Sequence, residues 1–125
     1  MQESRSLIEA TAIQQQKFVC DKYSVDYHPL TFNSIVAVAI ETFNVHDNAV
    51  NGLRQSLNEG ENVDWFIWMG EYSNDDDFFK PIHVQHLLEI CPEAIKFLGL
   101  PAGWRFLFDG NGYEDVWYDQ TLLNI

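Results

Sequence analysis

The sequence predicts a single α+β domain over residues 1–125, a mainly antiparallel sheet of about four strands with an N-terminal helix and one or two short helices packed on it. Three observations lead there. Periodic segments follow one another in the order helix, strand, strand, helix, strand, strand. Asp109-Gly110-Asn111-Gly112 separates two runs of β-forming residues, the strongest hairpin signal in the chain. Hydrophobic residues make up 46% of the chain and aromatics 14%, enough to build a core and to exclude wholesale disorder. No repeat, low-complexity tract or linker divides the chain; residues 1–30 read as a helical arm and 31–125 as the α+β core.

Residues 4–23 read as the first helix, with Ser6 and Glu9 spaced as a capping box. Leu7, Ala10, Gln14 and Phe18 mark one face, but Ile8, Ile13 and Val19 blur it, so the helix is expected along an edge of the domain. Pro29 then breaks the pattern. Ile35 to Phe43 is β-branched or small and apolar, which predicts a strand covered on both faces. Asn51-Gly52 reads as a turn in a polar stretch, and Gln55 to Glu61 as a loop. Asp64 to Glu71 predicts a strand in which Trp65, Ile67 and Met69 share one face and Phe66, Trp68 and Gly70 the other, leaving an aromatic accessible. Pro81 is placed to open a helix whose buried stripe is Val84, Leu87, Leu88 and Cys91. Pro92 ends it, and Glu93 to Leu98 forms a further short helical turn closed by Gly99 and Pro101. Trp104 to Phe108 and Tyr113 to Tyr118 are the hairpin strands, with Trp104 and Phe106 directed to the core.

Charge narrows the class of partner. Seven Lys and Arg stand against 19 Asp and Glu, a net charge of −12 with a pI near 4.4. Phosphate backbones and anionic membrane surfaces would be repelled, so nucleic acid and membrane are excluded as partners and a basic protein is favoured. The longest apolar run, Ile35 to Ile40, is far too short to span a bilayer, and the first twenty residues hold no apolar signal core. Cys20 and Cys91 have no partner nearby in sequence and read as buried thiols of a reducing compartment. The expected location is cytoplasmic.

Catalytic and metal motifs are weak. His83, His86 and Glu89 could face one ligand from a helix, but Cys91 points with the apolar stripe and no fourth ligand completes zinc coordination. Asp109, Asn111, Glu114 and Asp115 lack the glycine and glutamate spacing of a calcium loop. No serine sits in a nucleophile elbow, no glycine loop is spaced for phosphate, and Cys91 lacks cationic surroundings that would activate it. The expectation is no enzyme, no metal and no cofactor.

The acidic residues are more informative as a set. Seven fall between Glu59 and Asp77, and four more between Asp109 and Asp119, interleaved with Tyr113, Trp117 and Tyr118. Crowded like charges oppose folding and accelerate encounter with a cationic protein, and neighbouring Tyr and Trp supply rigid amphipathic contacts. The candidate partner-binding residues of the first segment are Trp68, Glu71, Tyr72, Asp75, Asp76 and Asp77. Those of the second are Asp109, Tyr113, Glu114, Asp115 and Trp117. The carboxylates are expected to engage Lys or Arg while Trp68, Tyr72, Tyr113 and Trp117 form a desolvated centre.

Ordered blocks add a resemblance. Asn51-Gly52-Leu53-Arg54, Trp65-Phe66-Ile67-Trp68-Met69-Gly70-Glu71, Asp75-Asp76-Asp77-Phe78-Phe79 and Pro81-Ile82-His83-Val84-Gln85-His86-Leu87 occur in that order. They are followed by Gly99-Leu100-Pro101-Ala102-Gly103-Trp104-Arg105-Phe106-Leu107 and Tyr113-Glu114-Asp115-Val116-Trp117. Over residues about 50–120 this resembles the small bacterial immunity-protein family of polymorphic toxin systems numbered thirty-three, and its close relatives. The resemblance implies a cytoplasmic inhibitor of a cognate toxin, without catalysis or cofactor. The alternatives are a non-inhibitory adaptor or regulatory module using the same surface, and a metal-assisted enzyme built on His83, His86 and Glu89.

Overall fold

Val36, Val38, Trp65 and Ile67 are sealed from solvent because the strands that carry them lie at the centre of a six-stranded sheet. The computed structural model describes residues 2–44, 48–57 and 59–123. Its strands are β1 (Ile35–Val38), β2 (Val50–Arg54), β3 (Trp65–Met69), β4 (Lys80–His83), β5 (Trp104–Phe108) and β6 (Glu114–Tyr118). They are arranged in the order β4-β1-β3-β2-β5-β6. The β1–β3 pair is parallel, with Ala37 opposite Phe66; the other four pairs are antiparallel. The sheet is therefore mixed although mainly antiparallel, and its six strands exceed the four or so expected. A parallel pair needs a long crossover; residues 39–64 supply it, and β2 within that stretch folds back along the far side of β3.

Both additional strands come from segments that the sequence disguises. Asn51-Gly52 is not a turn but the middle of β2, paired with Trp68 and Ile67 on one side and with Leu107 and Phe106 on the other. Pro81 does not open a helix; it lies in β4 opposite Ala37, and α2 (Val84–Ile90) begins three residues beyond it. The strand expected at Ile35 to Phe43 ends at Val38, where the chain turns into a 3₁₀ segment, Ile40–Asn44. Thr42 holds that turn: its hydroxyl donates to Ala39 O at 2.6 Å and accepts from Met69 N–H at 2.9 Å. Residues 45–47 and position 58 lie outside the described residues.

One side of the sheet takes every second residue of each strand into the core: Val36, Val38, Ile82, Trp65, Ile67, Val50, Phe106 and Val116. Against them pack α2 and the 3₁₀ segment Pro92–Phe97, through Val84, Leu87, Ala94, Ile95 and Phe97. The first helix, α1 (Gln2–Lys22), covers that segment in turn. It starts before Ser6, which is thus an interior helical residue and not a cap, while Glu9 accepts from Phe32 N–H at 3.3 Å. Its buried stripe is Ala12, Gln16, Val19 and Cys20; Leu7 and Phe18, on the face expected to pack, are each 69% exposed. Gln16 explains the inversion. Its amide is buried because it donates to Ile95 O at 3.0 Å and accepts from the Tyr27 hydroxyl at 3.0 Å.

Arg54 fixes one end of the core. Its Nε donates to Asp64 Oδ2 at 2.8 Å, and its Nη1 donates to the carbonyls of His28 and Leu100 at 3.0 and 2.8 Å. Both partners of this ion pair are buried, and the hydrogen bonds to carbonyls satisfy the guanidinium where water cannot. Asp64 is thus the acidic partner of Arg54.

Candidate protein interface

The second side of the sheet carries the other half of each strand. Cross-strand register sets Ala37, Phe66, Leu53, Arg105 and Trp117 in one row, and Trp68, Asn51, Leu107 and Asp115 in the next. The helices contribute their buried residues to the opposite side. What folds over this one is the segment between β3 and β4. Phe79 meets Phe66 edge-on at 5.3 Å and Trp68 at 6.1 Å, Tyr72 meets Trp68 at 5.4 Å, and Phe78 meets Tyr72 at 5.8 Å. Edge-to-face geometry at these separations is the favoured arrangement of aromatic quadrupoles. Trp68 is consequently only 5% exposed, whereas Tyr72 is 59% exposed. Trp68 thus buttresses the cluster, and Tyr72 and the half-buried Phe78 form its accessible face.

Glu71, Asp75, Asp76 and Asp77 lie in the same segment as Tyr72, Phe78 and Phe79 and are all exposed. Asp75 also shapes the loop: Asp75 N–H donates to Ser73 Oγ at 3.1 Å, and Asp75 Oδ1 accepts from Asp77 N–H at 3.0 Å. The second acidic segment is built in the same way. Asp109 Oδ1 accepts from the N–H groups of Asn111 and Tyr113 at 2.8 and 3.0 Å, closing the hairpin turn and presenting Tyr113, which is 53% exposed.

Strand direction brings the two segments to one end of the sheet. Met69 closes β3 opposite Val50, Val50 pairs with Phe108, and Phe108 pairs with Glu114 at the start of β6. The loop after β3 and the hairpin turn are separated there by two to three strand spacings, roughly 10–14 Å. Asp115 is exposed on the open side, and Trp117 lies beside it in the next row. Arg105 stacks over Trp117 at 5.4 Å and donates to Asp119 Oδ2 at 3.1 Å. The Asp119 carboxyl is held below its ordinary range by hydrogen bonds from Thr121 and Arg105.

Glu114 stands apart from the other candidates. Its side chain turns to the core side, where Oε2 accepts from the Tyr23 hydroxyl at 2.8 Å and pairs with Lys22 at 3.2 Å, and Oε1 pairs with Lys96 at 3.1 Å. Burial pushes this carboxyl up, but the hydrogen bonds from Tyr23, Lys96 and Lys22 outweigh it and hold the group below the ordinary glutamate value. Glu114 therefore joins α1, the 92–97 segment and β6 and is occupied within its own chain. Conversely, Phe66, Phe78 and Phe79 belong to the open-side cluster without having been singled out. Alternation with Trp68 was the available signal for Phe66; the two phenylalanines after Asp77 were visible only as a motif.

His83, His86 and Glu89 line a shallow surface depression with Asn33 and Gln85. Among the described residues no three His, Cys, Asp or Glu side chains group as a metal site. Cys91 is buried, and that burial pushes its thiol up to about 11, so it is a neutral thiol at physiological pH. Among the described residues no helix is long and apolar enough to cross a membrane. No curated protein and no solved structure matches the chain. Residues 15–119, which include all six strands and both acidic segments, match the model of the Imm33-like domain, and the chain belongs to that immunity-type family.

Proposed function

We propose that this chain is a cytoplasmic immunity protein that neutralises a cognate bacterial toxin by stoichiometric binding, without catalysis or cofactor. The observation that carries the reading is the convergence of two acidic segments, each with an exposed tyrosine, at one end of the sheet side opposite α1 and α2. Family membership supports a toxin as the partner, and the net charge of −12 supports a basic one. Asp76, Asp77 and Asp115 engage lysines or arginines of the toxin, while Tyr72, Phe78 and Tyr113 cover the contact. Exposed ion pairs contribute only about 0.2–1 kcal/mol each, but charge pairs closed off from water contribute about 1.5–7 kcal/mol. The rings therefore set the strength of the contact by excluding water around the carboxylates.

Co-expression with the toxin encoded by the adjacent gene tests this. The parent chain is expected to restore growth and to co-purify with the toxin. The variant combining Asp75→Asn, Asp76→Asn and Asp77→Asn should protect poorly while melting near the parent temperature. Full protection by that variant would overturn the acidic contact; a parent chain that binds the toxin without suppressing toxicity would make it a non-inhibitory adaptor.

A further inference from the structure

We propose that the free edge of β6 is a strand-addition site, taking an extended basic segment of the partner protein as a seventh strand. This rests on the immunity reading and specifies how the partner is held. The main-chain phase of the hairpin carries the inference. Asp119 N–H donates to Gly103 O at 2.7 Å and Asp109 N–H to Tyr113 O at 3.2 Å, at the two ends of the β5–β6 ladder. With Arg105 opposite Trp117 and Leu107 opposite Asp115, antiparallel alternation makes these two the mutually hydrogen-bonded pairs. Glu114, Val116 and Tyr118 therefore turn their N–H and C=O groups away from β5. Among the described residues no hydrogen bond reaches those main-chain groups.

The other edge of the sheet is closed by its sequence. Val84 N–H donates to Ser34 O at 2.9 Å, so by the same alternation Ile82 and Lys80 face β1, and Pro81 and His83 turn outward. Pro81 has no N–H to offer an incoming strand, and exposed Lys80 adds a charge beside it. Proline and lysine are the usual means of protecting an edge from pairing. β6 has neither. It carries Glu114 and Asp115 instead, with Asp109 in the adjoining turn.

The exposed Asp115 carboxylate selects the occupant, since Glu114 is paired within its own chain. A strand laid along β6 brings its alternate side chains within cross-strand reach of Asp115 and Trp117. Lys or Arg there would meet the exposed Asp115 carboxylate and the Trp117 ring. A second copy of this chain is disfavoured, because two bodies of net charge −12 repel each other on approach. Main-chain bonding supplies affinity and the alternating side chains specificity, the general logic of strand addition.

The test is hydrogen–deuterium exchange on the full chain, alone and bound to the toxin domain encoded by the adjacent gene, with Tyr118→Pro as the companion variant. Proline at 118 deletes one outward N–H and leaves the β5-facing bonds in place. In the complex, the amides of Glu114, Val116 and Tyr118 are expected to exchange at least about tenfold more slowly, and Tyr118→Pro to bind about tenfold more weakly, as for loss of one well-placed hydrogen bond. A complex in which those amides exchange as fast as in the free chain would overturn the edge site and leave the immunity reading standing, whether or not the variant folds. Protection already present in a homodimer of the free chain would overturn the proposed occupant. Failure to form any complex would overturn the immunity reading and the edge site together.

Discussion

Gly52 has no room for a side chain. A Cβ placed there would lie 2.1 Å from Cε2 and 2.3 Å from Cζ of Phe106, whose ring stacks on Phe97 at 4.5 Å and is fully buried. Relieving the clash must displace that ring or bend β2, and overpacking of this kind destabilises by about 1–3 kcal/mol. Gly52→Ala is therefore expected to lower the urea midpoint with little change in slope; an unchanged midpoint would mean the ring is not held there. The same residue shows what a sequence reading can and cannot reach. Asn51-Gly52 is chemically a good turn, because both residues tolerate positive φ, and nothing local distinguishes a turn glycine from one that admits a ring. The deciding atom belongs to a residue distant in sequence. Arg54 carries no local signal either: its partner Asp64 lies on the approach to another strand, and the carbonyls of His28 and Leu100 that complete its shell are farther still in sequence.

At the scale of elements, strands with ordinary alternation were legible and disguised ones were not. Trp65–Met69 and the hairpin strands Trp104–Phe108 and Glu114–Tyr118 lie where alternation and the glycine-rich turn place them. β4 was hidden because Pro81 looks like a helix start and is tolerated here only as an outward edge residue. α1 misled for a different reason: a buried glutamine stands in the middle of its packed stripe, and Leu7 and Phe18 are left outside. Glu114 joins α1 to the hairpin, and its titration makes that connection measurable. Its carboxyl lies below the ordinary value in the folded chain, so the ionised form is the one that folding favours. The resulting stability is fully present above the unfolded glutamate pKa of about 4.3 and is lost as pH falls through the folded value. Glu114→Gln should melt below the parent at pH 7, and the two melting temperatures should converge toward pH 3. A gap that stays constant across that range would assign the Glu114 effect to packing and not to its charge.

For the whole molecule, net charge was legible from composition but its distribution was not. The fold decides that the segment after β3 and the β5–β6 turn end up at one end of the sheet, although they are far apart in sequence, and that Glu114 is withdrawn to the other side. Such a concentration acts at a distance before any contact is made. A single-sign field raises the rate of encounter with an oppositely charged protein, and salt screens it over a Debye length of about 30 Å at 0.01 M but only about 8 Å at 0.15 M. Since the two segments are roughly 10–14 Å apart, on the proposed function they would act on a toxin as one patch at low salt and as separate charges at physiological salt. Stopped-flow association with the toxin should therefore slow by roughly tenfold or more across that range, while dissociation, assigned in the proposed contact to the rings around Tyr72 and Tyr113, should change little. Converting Asp75, Asp76 and Asp77 to Asn should flatten the salt dependence of association before it alters dissociation. Equal salt slopes for the parent and that variant would show that the toxin does not approach through this end of the sheet. The two rate constants separate steering by the carboxylates from retention by the rings, which a single equilibrium constant would merge.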